Sequence, residues 1–197
     1  MPSDADQMEI TELAATIMSR RTERGRPIVV GISGYGGAGK STLARELLGL
    51  IPDSVRMRGD DFLDPSRSHR RSTDWDGVER SRLVREVLGP FRDRLPSRFR
   101  RFDWSARALG EPEPIPTGEV LIVDLIGLFH PEVLGALDLT VWCDVDLATA
   151  QRRGMRRDSE LGRDHSNLWN EVWVPNERDF DELFAPASLA EIRIPML

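Results

Sequence analysis

A run of glycines ending in one lysine, at positions 34–41 (Gly-Tyr-Gly-Gly-Ala-Gly-Lys-Ser), carries the clearest chemistry in this chain. Lys40 is the only lysine among the 27 lysine and arginine residues. The run fits G-x-x-x-x-G-K-[ST], the P-loop. In that loop backbone N–H groups surround nucleotide phosphates, the lysine reaches the β- and γ-phosphates, and the serine hydroxyl meets Mg²⁺. The predicted nucleotide-binding residues are Gly34, Gly36, Gly37, Ala38, Gly39, Lys40, Ser41 and Thr42.

A second candidate group is the pair of carboxylates in Gly-Asp-Asp-Phe at 59–62, directly after a weak predicted strand at 54–58. In a three-layer P-loop fold, that strand end lies beside the γ-phosphate. Asp60 can there accept a proton from an acceptor hydroxyl or hold Mg²⁺ through water. Because Gly-Asp-Asp also favours turns, a surface turn without function is the alternative.

The elements that must position these groups alternate between strands and helices. A β-branched apolar run precedes the P-loop and an amphipathic helix follows it, which aims a helix N-terminus at an anion. We predict an α/β fold of three layers (α/β/α) with a mostly parallel sheet and the ligand site at its carboxyl edge. The predicted strands are 27–33, 54–58, 99–102, 120–124, 139–143 and 191–194; the predicted helices are 6–22, 41–48, 78–88 (ended by Gly89-Pro90), 146–158 (capped by Asp146) and 165–183.

Composition limits the class of protein. A chain of 197 residues, 40% of them hydrophobic, can bury one substantial core, so one domain is expected. The net charge of −6 argues against non-specific nucleic-acid binding. A single cysteine, Cys143, fits a reducing compartment, and no apolar stretch reaches the length of a membrane span. We therefore expect a cytoplasmic protein without a membrane or nucleic-acid partner; an oligomer is possible but cannot be inferred.

Several short segments, taken together, resemble the motifs of one group of proteins. Gly-Ile-Ser-Gly at 31–34 leads into the P-loop, Asp-Asp-Phe follows at 60–62, Asp-Trp-Asp-Gly at 74–77, and Phe-Asp-Trp at 102–104. Together they resemble the group of uridine kinases, phosphoribulokinases and nicotinamide riboside kinases, and most of all the bacterial uridine-kinase-like proteins. The similarity covers about residues 26–194.

The resemblance implies roles for two carboxylates. Asp60 matches the first Asp of the group's Asp-x-Phe motif, which acts as general base on the acceptor hydroxyl. Asp124 matches a position where a Glu followed by Gly helps to hold Mg²⁺. This sequence has the shorter Asp there, and the next glycine, Gly127, comes three residues later. The implied metal-binding residues are Ser41, Asp60 and Asp124.

The resemblance also implies a lid and an acceptor site. Residues 152–158 (Arg-Arg-Gly-Met-Arg-Arg-Asp) resemble the lid that closes over ATP, with Arg153 and Arg157 four apart on one helical face. A guanidinium there can bind phosphate oxygens and stabilise charge in the transition state. The implied acceptor-binding residues are Asp60, Asp76, Phe102, Asp103 and Trp104.

The sequence thus predicts a single P-loop kinase domain over 1–197, with a substrate-binding region at about 60–118 and a lid at about 150–175. Its expected activity is Mg²⁺-ATP-dependent phosphorylation of a hydroxyl on a small, nucleoside-like acceptor, with Lys40, Asp60 and Arg157 as the catalytic residues.

Three alternatives stay open from the sequence. A P-loop NTPase would hydrolyse ATP or GTP to regulate a partner. A nucleotide-binding protein that has lost catalysis would bind the nucleotide through its P-loop and transfer nothing. A kinase of the same group could instead phosphorylate a non-nucleoside alcohol such as pantothenate, or a sugar phosphate. Phe102 stands where uridine kinases carry a Tyr that reads the pyrimidine, so a uridine or cytidine acceptor does not follow from the resemblance.

Overall fold

The structure, a computed structural model, describes residues 4–103, 106 and 108–196. These residues form strands in two sheets and helices between them. The strands are β1 (Ile28–Ser33), β2 (Ser54–Arg58), β3 (Arg98–Asp103), β4 (Ala108–Pro114), β5 (Val120–Asp124), β6 (Leu139–Asp144) and β7 (Ile192–Pro195). The α-helices are α1 (Asp4–Arg24), α2 (Lys40–Leu50), α3 (Pro65–Ser68), α4 (Arg80–Leu83), α5 (Gly89–Arg92), α6 (Pro131–Leu134), α7 (Leu147–Glu160), α8 (Ser166–Leu168) and α9 (Val174–Phe184).

The main sheet has five strands in the order β2-β5-β1-β6-β7, and every neighbouring pair is parallel. All residues of β1 and β5 are buried, which explains their continuous apolar runs, because central strands of a parallel sheet are covered on both faces. The strands β3 and β4 form a separate antiparallel hairpin. The predicted three-layer α/β fold with a mostly parallel sheet is confirmed.

Side chains of β1 alternate between two hydrophobic cores, one on each face of the sheet. Ile28, Val30 and Ile32 belong to the core that includes α1 and α2. Val29 belongs to the other core, which reaches Phe99 in the hairpin. Period-two alternation of this kind lets one strand join both helical layers.

One predicted helix end is wrong. The helix starting near Val78 was expected to end at Gly89-Pro90, but the backbone stays helical through a π-helical turn at Val84–Leu88 and into α5. The Gly89 N–H donates to the Val84 carbonyl across this wider turn. Pro90 then follows the π-helical turn as the second residue of α5.

The other predicted elements lie close to their expected positions. Asp146 caps α7 by accepting from the Thr149 N–H, as expected. The helix predicted at 165–183 is α8, a π-helical segment (Trp169–Trp173) and α9 in succession. Strand β4 was not predicted, since its sequence is rich in Pro, Gly and Glu. Among the helices described, none is both long and apolar enough to cross a membrane.

Candidate active site

A cleft of about 390 Å³ lies at the carboxyl edge of the main sheet, where β1, β2 and β5 end. It brings most of the predicted site residues together. Those that line it are Gly36, Gly37, Gly39, Lys40, Ser41, Thr42, Asp60, Asp124, Arg153 and Arg157. The P-loop, the second-strand carboxylate and the lid arginines therefore share one cavity.

The P-loop joins β1 to α2, with Gly39 at the N-cap of the helix and Lys40 as its first residue. Gly37 has a φ of +85°, and a Cβ there would lie 2.2 Å from the Ala150 carbonyl oxygen of α7. Only glycine can therefore occupy position 37 while α7 covers the loop. The first residues of α2, Lys40, Ser41 and Thr42, line the cleft, so the positive end of the helix dipole faces it, which suits an anion.

Lys40 is 9% exposed, and its ammonium group donates to the carbonyls of Gly34 (2.7 Å) and Tyr35 (2.8 Å). Burial lowers the pKa of Lys40, and the carboxylate of Glu177 partly opposes this effect. The lysine thus bridges the loop from inside, with its charge at the base of the cleft.

Asp124 ends β5 and is buried. Its Oδ2 accepts from the Ser41 hydroxyl at 2.7 Å, and both of its oxygens accept from Arg56, at 2.6 Å and 2.7 Å. The hydrogen bond to Asp124 raises the pKa of Arg56. Sequence reasoning did not identify Arg56. A signal existed, because an arginine inside a strand of a parallel sheet needs a buried acid.

The oxygens of Ser41 and Asp124 fit a hard cation such as Mg²⁺, which binds one or two protein carboxylates and takes its other ligands from water and substrate phosphates. Within the described residues, no three His, Cys, Asp or Glu side chains cluster as metal ligands. The oxygens of Ser41 and Asp124 therefore fit a Mg²⁺ site that takes only a few of its ligands from the protein.

Asp60 and Asp61 are neighbours with different environments. The side chain of Asp60 is 59% exposed, lines the cleft and lies 3.9 Å from Arg58. Asp61 is buried and pairs with Arg101 of the hairpin at 3.2 Å. Burial raises the pKa of Asp61, and Arg101 partly offsets the rise. Asp60 can meet a ligand in the cleft, whereas Asp61 joins the turn to the hairpin.

Three of the predicted acceptor residues, Asp76, Phe102 and Asp103, are not among the residues that line the cleft. Asp76 is exposed, because the buried Trp75 before it turns the other way, into the cleft wall. Trp104 lies outside the described residues. The cleft wall is completed by other residues: Arg45, Leu63, Ser68, His69, Trp75, Leu125, Ile126, Trp169, Trp173 and Glu177.

The two arginines that the sequence predicts to belong to a lid lie on α7. Arg153 donates to the Met196 carbonyl at 3.1 Å, and Arg157 donates to Asp158 at 2.9 Å. Asp158 is buried and also accepts from the indole N–H of Trp169. Burial alone would raise the pKa of Asp158, but hydrogen bonds from Trp169, Arg157 and His165 outweigh it and lower this pKa. Asp158 therefore ties the lid helix to the tryptophan that lines the cleft.

Glu177 is a second residue that sequence reasoning missed. It is 5% exposed, lines the cleft, and its Oε1 accepts from the Gly36 N–H at 2.5 Å. Burial raises the pKa of Glu177 to about 7, against the effects of Lys40 and the Gly36 N–H. The available signal was the spacing of Trp169, Trp173 and Glu177, four residues apart along one helical run.

Two buried side-chain atoms have no hydrogen-bond partner in the described part of the chain, Ser68 Oγ and Glu177 Oε2. Both residues line the cleft. Unsatisfied buried polar groups are rare in native proteins, so water or a ligand in the cleft would complete the hydrogen bonding of these two atoms.

Comparisons with known proteins find relatives that are named as uridine kinases. No protein-family model matches the chain. It is 29% identical over 126 residues to uridine-cytidine kinase C of Dictyostelium discoideum, a match that covers 62% of this chain and only 28% of that protein. It is 28% identical over 188 residues to a uridine kinase of Clostridium perfringens, covering 86% of this chain and 88% of the relative.

A solved structure of a possible uridine kinase from Bacillus stearothermophilus superposes on this chain with a TM-score of 0.75 at 14% identity. The superposition covers 95% of this chain and 98% of that one. At such low identity the likeness shows the fold. The chain is therefore similar in sequence to uridine kinases and shares the fold of a possible uridine kinase.

Proposed function

We propose that this protein is an ATP-dependent kinase that transfers the γ-phosphate to a hydroxyl of a small, nucleoside-like acceptor. The observation that carries the proposal is one cleft holding a P-loop with a buried Lys40, the Ser41–Asp124 hydrogen bond and the free face of Asp60. The relatives named as uridine kinases support the same reaction class.

The P-loop and Lys40 would bind the β- and γ-phosphates of ATP. Its N–H groups supply fixed dipoles, and the ammonium group supplies a full charge at the base of the cleft. Ser41 and Asp124 would hold Mg²⁺, which when bound neutralises charge on the phosphates. Arg56 keeps the Asp124 carboxylate in place by its two hydrogen bonds.

Asp60 would accept the proton of the acceptor hydroxyl. As that oxygen bonds to the γ-phosphorus, the bond from the γ-phosphorus to the bridging oxygen breaks and ADP leaves. Because its side chain is largely exposed to the cleft, Asp60 can meet an acceptor without breaking a buried ion pair. Arg153 and Arg157 would close from α7 and exclude water, which otherwise hydrolyses ATP.

Aromatic side chains in the cleft wall support an acceptor with a flat ring. Trp75, Trp169 and Trp173 line the cleft, and the rings of Trp169 and Trp173 lie 5.1 Å apart, edge to face. The flat heterocycle of a nucleoside can stack on such rings, whereas a sugar phosphate has no flat ring to offer. A nucleoside-like alcohol therefore fits better than a sugar phosphate.

A coupled assay of ADP release with Mg²⁺-ATP tests the proposal. The acceptor panel holds uridine, cytidine, adenosine, nicotinamide riboside, pantothenate and ribulose 5-phosphate, beside a reaction without acceptor. We expect release that depends on one acceptor and falls about 10²- to 10⁴-fold in Asp60→Asn, the range typical of a lost general base. Asp61→Asn is the matched control, because Asp61 contacts the hairpin rather than the cleft.

Each contrary outcome has a meaning. Equal release with and without acceptors, stimulated by protein or nucleic acid, would identify a regulatory NTPase instead. ATP binding without release under any condition would identify a nucleotide-binding protein without catalysis. Full activity of Asp60→Asn would remove Asp60 from the mechanism.

A further inference from the structure

The contact between Glu177 and the P-loop places a carboxylate where the loop is built to bind phosphate. The N–H of Gly36 donates to Glu177 Oε1, so one of the loop's donors is occupied by the protein itself. A Cβ on Gly36 would lie 3.0 Å from Trp169 and 3.3 Å from Glu177 Oε1. The tryptophan and the carboxylate thus cover this side of the loop together.

The second oxygen of the same carboxylate is unsatisfied. Glu177 Oε2 is buried in the cleft wall and has no hydrogen-bond partner in the described residues. An ionised carboxylate can only accept hydrogen bonds, whereas its protonated form has one O–H to donate. A phosphate oxygen in the cleft could accept from that O–H while Oε1 keeps its bond to Gly36.

The charges around Glu177 come from several elements. Four cations line the cleft, Lys40 and Arg45 on α2 and Arg153 and Arg157 on α7. The anions beside Glu177 are Asp60 after β2 and Asp124 at the end of β5, and the histidine is His69, after α3. On its own helix, Asp181 interacts with Tyr35 beside the loop. The cations already have protein acceptors, since Lys40 and all three arginines donate within the chain.

A terminal phosphate that binds beside the P-loop would meet the negative charge of the Glu177 carboxylate. Two anions at close range in a poorly solvated site favour protonation of the weaker acid, as in paired carboxylates. Glu177 is prepared for this change, because burial already raises its pKa to about 7.

We propose that Glu177 takes up one proton when ATP binds, and that its neutral carboxyl group then donates a hydrogen bond to the terminal phosphate while still accepting from Gly36. Glu177 is thereby a positioning residue of the P-loop, and nucleotide binding is coupled to protonation. The inference rests on the proposed function in one respect, that ATP is the ligand of this cleft.

The direction of the pH effect follows from linkage. Binding of the phosphate favours the protonated form, so the pKa of Glu177 is higher in the complex than in the free protein. Affinity for ATP is then constant at pH values below the pKa of Glu177 in the free protein, because Glu177 is already neutral there. Above it, affinity falls about tenfold per pH unit until the pKa of the complex is reached.

Isothermal titration calorimetry with Mg²⁺-ATP at about pH 8, in buffers of different ionisation enthalpy, counts the protons taken up. We expect close to one proton for the wild type and close to none for Glu177→Gln, whose amide cannot titrate. Glu171→Gln is the matched control, since Glu171 is exposed on the same helical run and its variant should behave as wild type. Mg²⁺-ADP, which lacks the terminal phosphate, should cause less uptake than Mg²⁺-ATP.

The outcomes separate the inference from the proposed function. ATP binding with the same proton count in wild type and Glu177→Gln overturns the inference and leaves the kinase proposal intact. Absence of ATP binding in the folded wild-type protein overturns both. Should Glu177→Gln fail to fold, the wild type alone decides: an ATP affinity that does not change between about pH 7 and pH 9 contradicts the coupling.

Discussion

The hydroxyl of Ser41, in the first turn of α2, donates a hydrogen bond of 2.7 Å to the Asp124 carboxylate at the end of β5. The two residues are 83 positions apart in the chain, and the parallel pairing of β1 with β5 brings their elements side by side. Arg56, from the neighbouring β2, binds both oxygens of the same carboxylate. Three elements therefore meet at one buried acid.

Removal of Arg56 should destabilise the protein. The Asp124 side chain is 4% exposed and that of Arg56 is 18% exposed, so Arg56→Ala leaves a buried negative charge without its cation. We expect the free energy of unfolding, measured by urea denaturation, to fall by about 3 kcal/mol. Arg58→Ala is the control, because the Arg58 side chain is 55% exposed, and it should change this free energy by less than about 0.5 kcal/mol.

A double-mutant cycle would test whether the effect belongs to the ion pair. In the background of Asp124→Ala, the further change Arg56→Ala should cost much less than it does alone, because the buried charge has already been removed. Equal costs in both backgrounds would show that Arg56 stabilises the protein through other contacts.

Replacement of Lys40 by alanine should abolish most of the activity. The variant removes the one full positive charge at the base of the P-loop, so we expect kcat to fall about 10²- to 10³-fold. Lys40→Arg should not restore it, because the planar guanidinium group does not fit the two carbonyls that the ammonium group contacts. Circular dichroism would check that both variants fold; near-normal turnover of folded Lys40→Ala would contradict the proposed mechanism.

The stability of the protein should depend on pH through Glu177. Its pKa rises from 4.5 in the unfolded chain to about 7 in the folded protein. A carboxyl group with a raised pKa stabilises the folded state most at low pH, and this contribution is lost as the pH rises to about 7. Relative to Glu177→Gln, the wild type should therefore lose on the order of 3 kcal/mol of unfolding free energy between about pH 4 and pH 8. A difference in unfolding free energy between the two proteins that is the same at both pH values would contradict this assignment.

The sequence predicted the P-loop side of the site because the signal there is local. The loop from Gly34 to Ser41 is a contiguous motif, and its flanking strand and helix are strongly patterned. Asp124 could be predicted to join it, since the carboxyl ends of neighbouring parallel strands meet at one edge of the sheet. Local motifs and strand ends thus account for the part of the cleft that would bind the nucleotide.

The rest of the cleft was less predictable because its residues are distant in sequence and their orientation depends on tertiary contacts. Trp75 has a φ of +54°, an unusual conformation for a bulky residue, and this turn directs Trp75 to the cleft and Asp76 to the surface. Glu177 reaches the P-loop only because the π-helical segment at Trp169–Trp173 and α9 fold back over it. No short motif in the sequence encodes either arrangement.

Two sets of acceptor residues can now be compared by experiment. The resemblance implies that Asp76 binds the acceptor, whereas the structure has Ser68 and Trp173 in the cleft wall. The indole N–H of Trp173 donates to the Ser68 carbonyl at 3.1 Å. With the acceptor found by the panel assay, we expect Ser68→Ala to raise the KM for the acceptor about tenfold, because a polar group of the acceptor loses the Ser68 hydroxyl as its hydrogen-bond partner. The KM for ATP should stay within about twofold in the same variant.

Trp173→Phe and Asp76→Ala complete the comparison. Trp173→Phe keeps an aromatic wall but loses the bond to Ser68, so it should weaken acceptor binding less than Ser68→Ala does. Asp76→Ala should leave the KM for the acceptor unchanged, since Asp76 is exposed and absent from the cleft wall. A large rise in this KM for Asp76→Ala alone would instead mean that the loop carrying Asp76 closes onto the acceptor during turnover, because only such a movement could bring its carboxylate to the hydroxyl groups.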